Sequence, residues 1–261
     1  MFEKKYYFLS GLPRAGNTFF GSILNQNSKI SVTANSPVAE ILYRMEMFKK
    51  EALALKNFNE VQSFENISKN IFKNYFSNWK SSVIIDRSSW GTPDNLEILQ
   101  KYCPNDVKII ILYRDVVEVL ASFIKWSKEN PGNFIDSQFK TVEKQCEYLM
   151  DPSGQIIKQL YSIQNLTKLS DKNISLLIKY DDLVENTERE IKRVYKFLNL
   201  RYHKHDYNNL KQFQVNGISY DDAIYGKNLH CVKKDISKSE YIVQDYLTKE
   251  LVEKYKPYNI F

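Results

Sequence analysis

Apolar residues recur along this chain in short blocks of two alternating kinds. The first kind is dense and rich in β-branched or aromatic side chains. Residues 6–10 (YYFLS) form such a block, ending at Gly11, and residues 83–85 (VII) form another, stopped by Asp86. Residues 107–113 (VKIIILY) are apolar on both faces, which predicts a central strand covered on both sides. Residues 174–178 make a fourth strand. Between these blocks the apolar positions fall at helical spacing. Phe19, Phe20, Ile23 and Leu24 mark a helix over 17–25, and 38–55, 67–79, 96–102 and 116–128 repeat the pattern. Pro37 suits the first turn of the 38–55 helix. Residues 186–198 form a helix for which Thr187 and Glu190 supply an S/T-x-x-E capping box. Residues 202–238 carry weak periodicity and read as an extended surface segment before a last helix at 243–255. Strands alternating with helices predict an α/β fold in three layers, a central, mostly parallel sheet flanked by helices. No repeat, low-complexity tract or Pro/Gly-rich linker divides the chain, so residues 1–261 read as a single domain.

The first strand-to-helix junction carries chemistry. Gly11 and Gly16 permit backbone angles that let several N–H groups converge on one anion, at the positive end of the helix dipole. Thr18 adds a hydroxyl at the first turn. The spacing from Gly11 to Thr18 is that of a Walker A loop, with Asn17 at the lysine position. A conventional ATPase or kinase uses that lysine on the β- and γ-phosphates. Arg14 supplies a cation from inside the loop instead, placed where charge appears on a bridging oxygen as a bond breaks. A second anion site follows the strong strand. Arg114, at its carboxyl end, points into the crevice where such sheets bind ligands, and its planar fork suits a phosphate. Ser122 lies about two helical turns further on.

Composition narrows the partners. The net charge of +6 is compatible with a polyanionic ligand, but Lys and Arg are not clustered on one face, so a nucleic-acid partner is not expected. The three cysteines are far apart and form neither a disulfide framework nor a zinc site. His203 and His205 lack a third ligand, so no metal is expected there. No run reaches the roughly 18 apolar residues of a membrane span, and the first apolar run is too short for a signal peptide. A cytoplasmic protein without stable membrane insertion is the expectation; homo-oligomerisation stays open.

Three segments, LPRAGNT, IIILYRDVVEVLASFIKW and LLIKYDDLVENTEREIKRVYKFLNL, together resemble the sulfotransferase family. Within it the chain is similar to a bacterial branch with a P-R-[SA]-G-x-T loop, which tyrosylprotein sulfotransferases share. The resemblance implies a P-loop NTPase-like fold. It implies transfer of a sulfuryl group from 3′-phosphoadenosine 5′-phosphosulfate (PAPS) to a hydroxyl or amine acceptor, with adenosine 3′,5′-bisphosphate (PAP) as product and no metal required. Pro13, Arg14, Ala15, Gly16, Asn17 and Thr18 would then bind the 5′-phosphosulfate, with Arg14 at the bridging oxygen, and Arg114 and Ser122 the 3′-phosphate. A donor without a γ-phosphate accounts for Asn17. Related sequences also carry a G-x-x-L/M-H segment matching residues 226–230, so Lys227, Lys233 and Lys234 lie on a basic segment that would close over the cofactor.

The general base has three candidates. In tyrosylprotein sulfotransferases a glutamate falls at the position of Asn35, which cannot serve. Glu40 is the nearest acid downstream. Asp86 ends its strand where related enzymes present catalytic groups, and also resembles a Walker B aspartate; Arg87 beside it matches their lysine. His230 is a ready base near neutral pH. The acceptor stays open among small alcohols, carbohydrates, lipids and peptide tyrosines. A P-loop kinase of a small metabolite and a non-catalytic nucleotide-binding module are the rival readings.

Overall fold

The computed structural model describes residues 4–169, 173–232 and 242–261. Five parallel strands form the central sheet: β1 (Lys5–Gly11), β2 (Ile30–Val32), β3 (Val83–Arg87), β4 (Ile109–Tyr113) and β5 (Ser175–Lys179), in the order β2-β3-β1-β4-β5. Tyr7 pairs with Ile85, Ser10 with Ile111, and Ile111 with Leu177. Both faces of β1 and β4 are buried, with Phe8, Leu9, Ile109 and Ile110 all at 0% exposure, which is why their sequences are continuously apolar. The order reverses between β1 and β4. Their carboxyl ends therefore border the crevice in which open α/β sheets bind ligands.

Thirteen helices accompany the strands among the described residues: α1 (Asn17–Leu24), α2 (Val38–Glu51), α3 (Leu53–Asn57), α4 (Val61–Lys69), α5 (Ile71–Tyr75), α6 (Pro93–Tyr102), α7 (Val116–Glu129), α8 (Phe134–Gln138), α9 (Val142–Leu149), α10 (Gln155–Lys168), α11 (Tyr180–Glu185), α12 (Thr187–Phe197) and α13 (Lys249–Tyr255). None is long and apolar enough to cross a membrane. Under one face of the sheet, Phe8 packs edge-on against Phe72 and Trp90.

Several expectations change. The 38–55 helix breaks at Ala52, whose extended backbone (ψ 118°) separates α2 from α3. The 67–79 helix is interrupted at Asn70, between α4 and α5. β3 runs past Asp86 to Arg87. The capping box does not form. Thr187 lies inside α12 and its hydroxyl donates backward to Leu183 O (2.7 Å), while buried Glu190 pairs with Arg189 and Arg193. Residues 202–232, the described part of the segment expected to be extended, are not uniformly so. They contain a hairpin, β6 (Gln214–Val215) and β7 (Ile218–Ser219), turned by Asn216 and Gly217, both at positive φ (51° and 78°).

Candidate functional site

Three junctions at the carboxyl ends of β1, β3 and β4 converge beneath a strap of residues 212–232. The first junction is the glycine loop. Gly16 takes φ 82° and Arg14 φ 62°, so the backbone curls tightly into α1. No side chain caps α1, which leaves the N–H groups of its first turn to a ligand. Asn17 does not reach outward as a Walker lysine would. Its Nδ2 donates to Leu12 O at 2.6 Å, bracing the loop from within. This packing requires glycine at position 11, where a Cβ would stand 2.0 Å from Asn17 Oδ1. Ala15 is fully buried and faces inward.

Arg14 crosses the crevice. Its Nε donates to Ser122 Oγ on α7 (3.1 Å), Nη1 to Leu229 O in the strap (2.6 Å), and its guanidinium lies 5.8 Å from the Phe123 ring centroid. Arg114 follows β4 and is only 6% exposed. It donates to Arg14 O (3.1 Å) and Glu118 Oε2 (3.0 Å), with its guanidinium over the Tyr180 ring at 4.2 Å. Glu118 is thus an acidic neighbour of Arg114. Asp115 caps α7 through Val117 N (2.8 Å) and Glu118 N (3.2 Å).

Arg87 stands at the end of β3. It donates to Ala34 O and the Tyr220 hydroxyl, both at 3.3 Å, its buried Nε has no partner, and no carboxylate pairs with it among the described residues. Burial holds this guanidinium below its usual pKa range. A desolvated cation without a counter-charge calls for an anion.

Two cavities meet at this point. One, of about 240 Å³, is lined by the loop residues Pro13, Arg14, Gly16, Asn17 and Thr18 together with Arg87, Arg114, Ser122 and His230. The other, of about 840 Å³, extends from Gly11, Pro13 and Asn35 to the first turns of α10. Pro13, Arg87, Phe123, Leu229 and His230 line both.

His230 is held in this shared wall by a residue that sequence reading did not single out. Asp222 accepts from His230 Nδ1 (2.6 Å) and from its backbone N–H (2.8 Å). The imidazole stacks on Tyr220, ring centroids 3.8 Å apart and 3° from parallel. Burial lowers its pKa, Asp222 opposes this, and Arg87 and Arg14 add to the lowering. A neutral imidazole with Nδ1–H bound to Asp222 leaves Nε2 as a proton acceptor.

The other two base candidates lie outside both cavities. Glu40 is an exposed residue of α2 paired with Arg44 (2.6 Å). Asp86 is fully buried and accepts from Thr33 Oγ1 (3.1 Å), Ser36 Oγ (2.9 Å) and Trp90 Nε1 (3.2 Å). Burial outweighs these donors and pushes its pKa up to about 7. It ties β3 to the segment entering α2. Lys227 is exposed and contributes its carbonyl to Trp126 Nε1 at 2.7 Å. Lys233 and Lys234 lie outside the described residues. His205 bonds the Tyr195 hydroxyl (3.0 Å) in a buried cluster away from the crevice.

A family model described as the sulfotransferase domain matches residues 4–259. Similar solved structures include mouse sulfotransferase SULT7A1 complexed with PAP (11% identity, 97% of this chain and 83% of that one, TM-score 0.58). The sulfotransferase domain of the Synechococcus PCC 7002 olefin synthase is another (15% identity, 87% and 84% covered, TM-score 0.52). A sulfotransferase from Alicyclobacillus acidocaldarius is a third (13% identity, 78% and 84% covered, TM-score 0.51). At these identities the structures speak to the fold alone. A search of curated protein sequences finds no match.

Proposed function

The chain belongs to the sulfotransferase family, and from that premise we propose that it moves a sulfuryl group from PAPS to a hydroxyl acceptor, with His230 as general base and Asp222 as its positioning residue. The observation that carries this reading is the shared wall. A small cavity built from an uncapped helix start and three arginines opens there onto a larger one, and Arg87 and His230 stand in both.

The smaller cavity fits the donor nucleotide. Backbone N–H groups of the loop and first turn of α1 receive the phosphosulfate, while Arg114 and Ser122 receive the 3′-phosphate. Arg114 already anchors the loop through Arg14 O, so the two phosphate sites are mechanically joined. When bound, PAPS supplies a sulfuryl group on a phosphate leaving group. The acceptor enters from the larger cavity. Its oxygen bonds to sulfur as the bond from sulfur to the phosphate oxygen breaks. His230 takes the acceptor's proton at Nε2, and Arg14 and Arg87 neutralise the charge that appears on the departing phosphate. The chain thereby orients both reactants and stabilises developing charge, the two main contributions available in such displacements.

The donor assignment is tested by calorimetry with PAP and with AMP. PAP binds far more tightly, and Arg114→Ala weakens it on the order of 10²-fold, the usual loss for one partner of a buried charged contact. Equal affinity for PAP and AMP removes the 3′-phosphate site.

A further inference from the structure

The walls of the larger cavity carry information about the acceptor. Beyond the shared residues they include an aromatic group. Phe134 lies 5.6 Å from Tyr225 and 6.4 Å from Tyr148, both pairs edge-on, and the two tyrosine residues are about 40% exposed. The charges away from the reacting centre are acidic. Asp151 bonds Ser153 N (2.8 Å) and Asp221 bonds Ala223 N (3.1 Å), each through one oxygen, and both residues are exposed. Arg87 and His230 are the basic residues of this lining, and both belong to the donor junction.

One stretch of wall keeps hydrogen-bonding groups without partners. Gln155 and Ile156 start α10 in the cavity behind Gly154, whose N–H is bonded to Asp151 O (2.8 Å), and no side chain caps the helix. Lys158 N is bonded to Gly154 O (3.0 Å), so the three preceding helical N–H groups have no intrahelical acceptor. One turn on, Gln159 lines the same wall at 5% exposure, and its buried Oε1 has no partner. A buried carboxamide oxygen left unpaired is uncommon and costly. Its position beside unpaired helix donors marks a place for a ligand group that both donates and accepts.

Resting on the sulfotransferase reading above, we infer that the acceptor is an uncharged ring alcohol carrying a second hydrogen-bonding group, which Gln159 and the first turn of α10 receive. The ring lies against Phe134, Tyr148 and Tyr225. An anionic group cannot donate to Gln159 Oε1, and exposed Asp151 and Asp221 add like charge, so acidic peptides and polyanionic saccharides are disfavoured. Gln159 is then a specificity-determining residue that touches neither the donor nor the transferred group.

The test uses protein saturated with PAP and three fluorescent probes: naphthol, its carboxamide (hydroxynaphthamide) and its carboxylate (hydroxynaphthoic acid). PAP binding is measured first. Its failure would sink the sulfotransferase reading, a result separate from any outcome with the three probes. The amide should bind about five- to tenfold more tightly than naphthol, the return on one new hydrogen bond. The acid should bind at least about tenfold more weakly than the amide, because a carboxylate has no N–H to give Gln159 Oε1. Gln159→Leu should abolish the preference for the amide while leaving naphthol and PAP affinities in place. Tightest binding of the acid, or no binding of any probe to the PAP-saturated protein, overturns the inference. So does a Gln159→Leu variant, folded by its melting curve, that keeps the amide preference or weakens all ligands alike.

Discussion

Asp222→Asn isolates the proposed dyad without changing side-chain size. In the wild type one carboxylate oxygen accepts from His230 Nδ1 at 2.6 Å and the other from the His230 backbone N–H at 2.8 Å. An asparagine can satisfy only one of these donors, since its amide nitrogen faces the other. A hydrogen bond to a charged group contributes about 1.5–3 kcal/mol, so the loss corresponds to roughly 10- to 100-fold in kcat/KM. The pH profile separates positioning from mere structure. With neutral His230 as the proposed base, kcat/KM should fall on the acid side as the imidazole protonates. Burial, with Arg87 and Arg14, holds its pKa below the ordinary imidazole value, and Asp222 is the group pulling it up. Removing that carboxylate moves the acid limb to still lower pH while the plateau falls. The assay is initial-rate transfer of labelled sulfate from PAPS to a phenolic acceptor across pH. An unchanged plateau, or a limb that stays in place, refutes the dyad.

The same geometry makes two further outcomes testable. Arg14→Ala should lower kcat by roughly 10²–10³ yet bind PAP nearly as well, because its contact strengthens as the leaving group gains charge; kcat and PAP affinity are measured separately, and a joint collapse would make Arg14 a ground-state binder. Burial pushes the Asp86 pKa up to about 7, against about 3.9 for an unfolded aspartate, so the native state should hold the extra proton between these values. Stability should therefore fall as pH rises from about 4 to about 7, by an amount on the order of 4 kcal/mol. Asp86→Asn should flatten that dependence in urea titrations at acidic and neutral pH, and persistence of the slope would place its origin elsewhere.

Much of the fold was legible because its central strands obey one rule. β1 and β4 are covered on both faces, so burial itself writes their uninterrupted apolar runs. The loop between β1 and α1 could be read for the same reason: its glycines answer to local backbone geometry. β2 escaped notice because a three-residue edge strand leaves almost no periodic trace. The Asn216-Gly217 pair is a hairpin signal within reach of sequence reading, but its flanking strands are two residues each. The Thr187–Glu190 spacing misled, since tertiary contacts drew Glu190 into the interior beside two arginines. Site residues divide in the same way. Arg14, Arg114 and Ser122 sit next to regular elements, and their place around the crevice could be inferred from position. Asp222 had no such marker. It meets His230 only because the strap folds back over eight residues, and nothing periodic announces that return.

The most direct test of the account is a mass-spectrometric incubation of the protein with PAPS and a panel of neutral phenols and alcohols, beside the His230→Ala variant. A sulfate-sized mass gain on acceptor, matched by stoichiometric PAP and reduced by roughly 10²- to 10⁴-fold in the variant, is the predicted result. Intact PAPS with every hydroxyl probe, or equal turnover by His230→Ala, would contradict it.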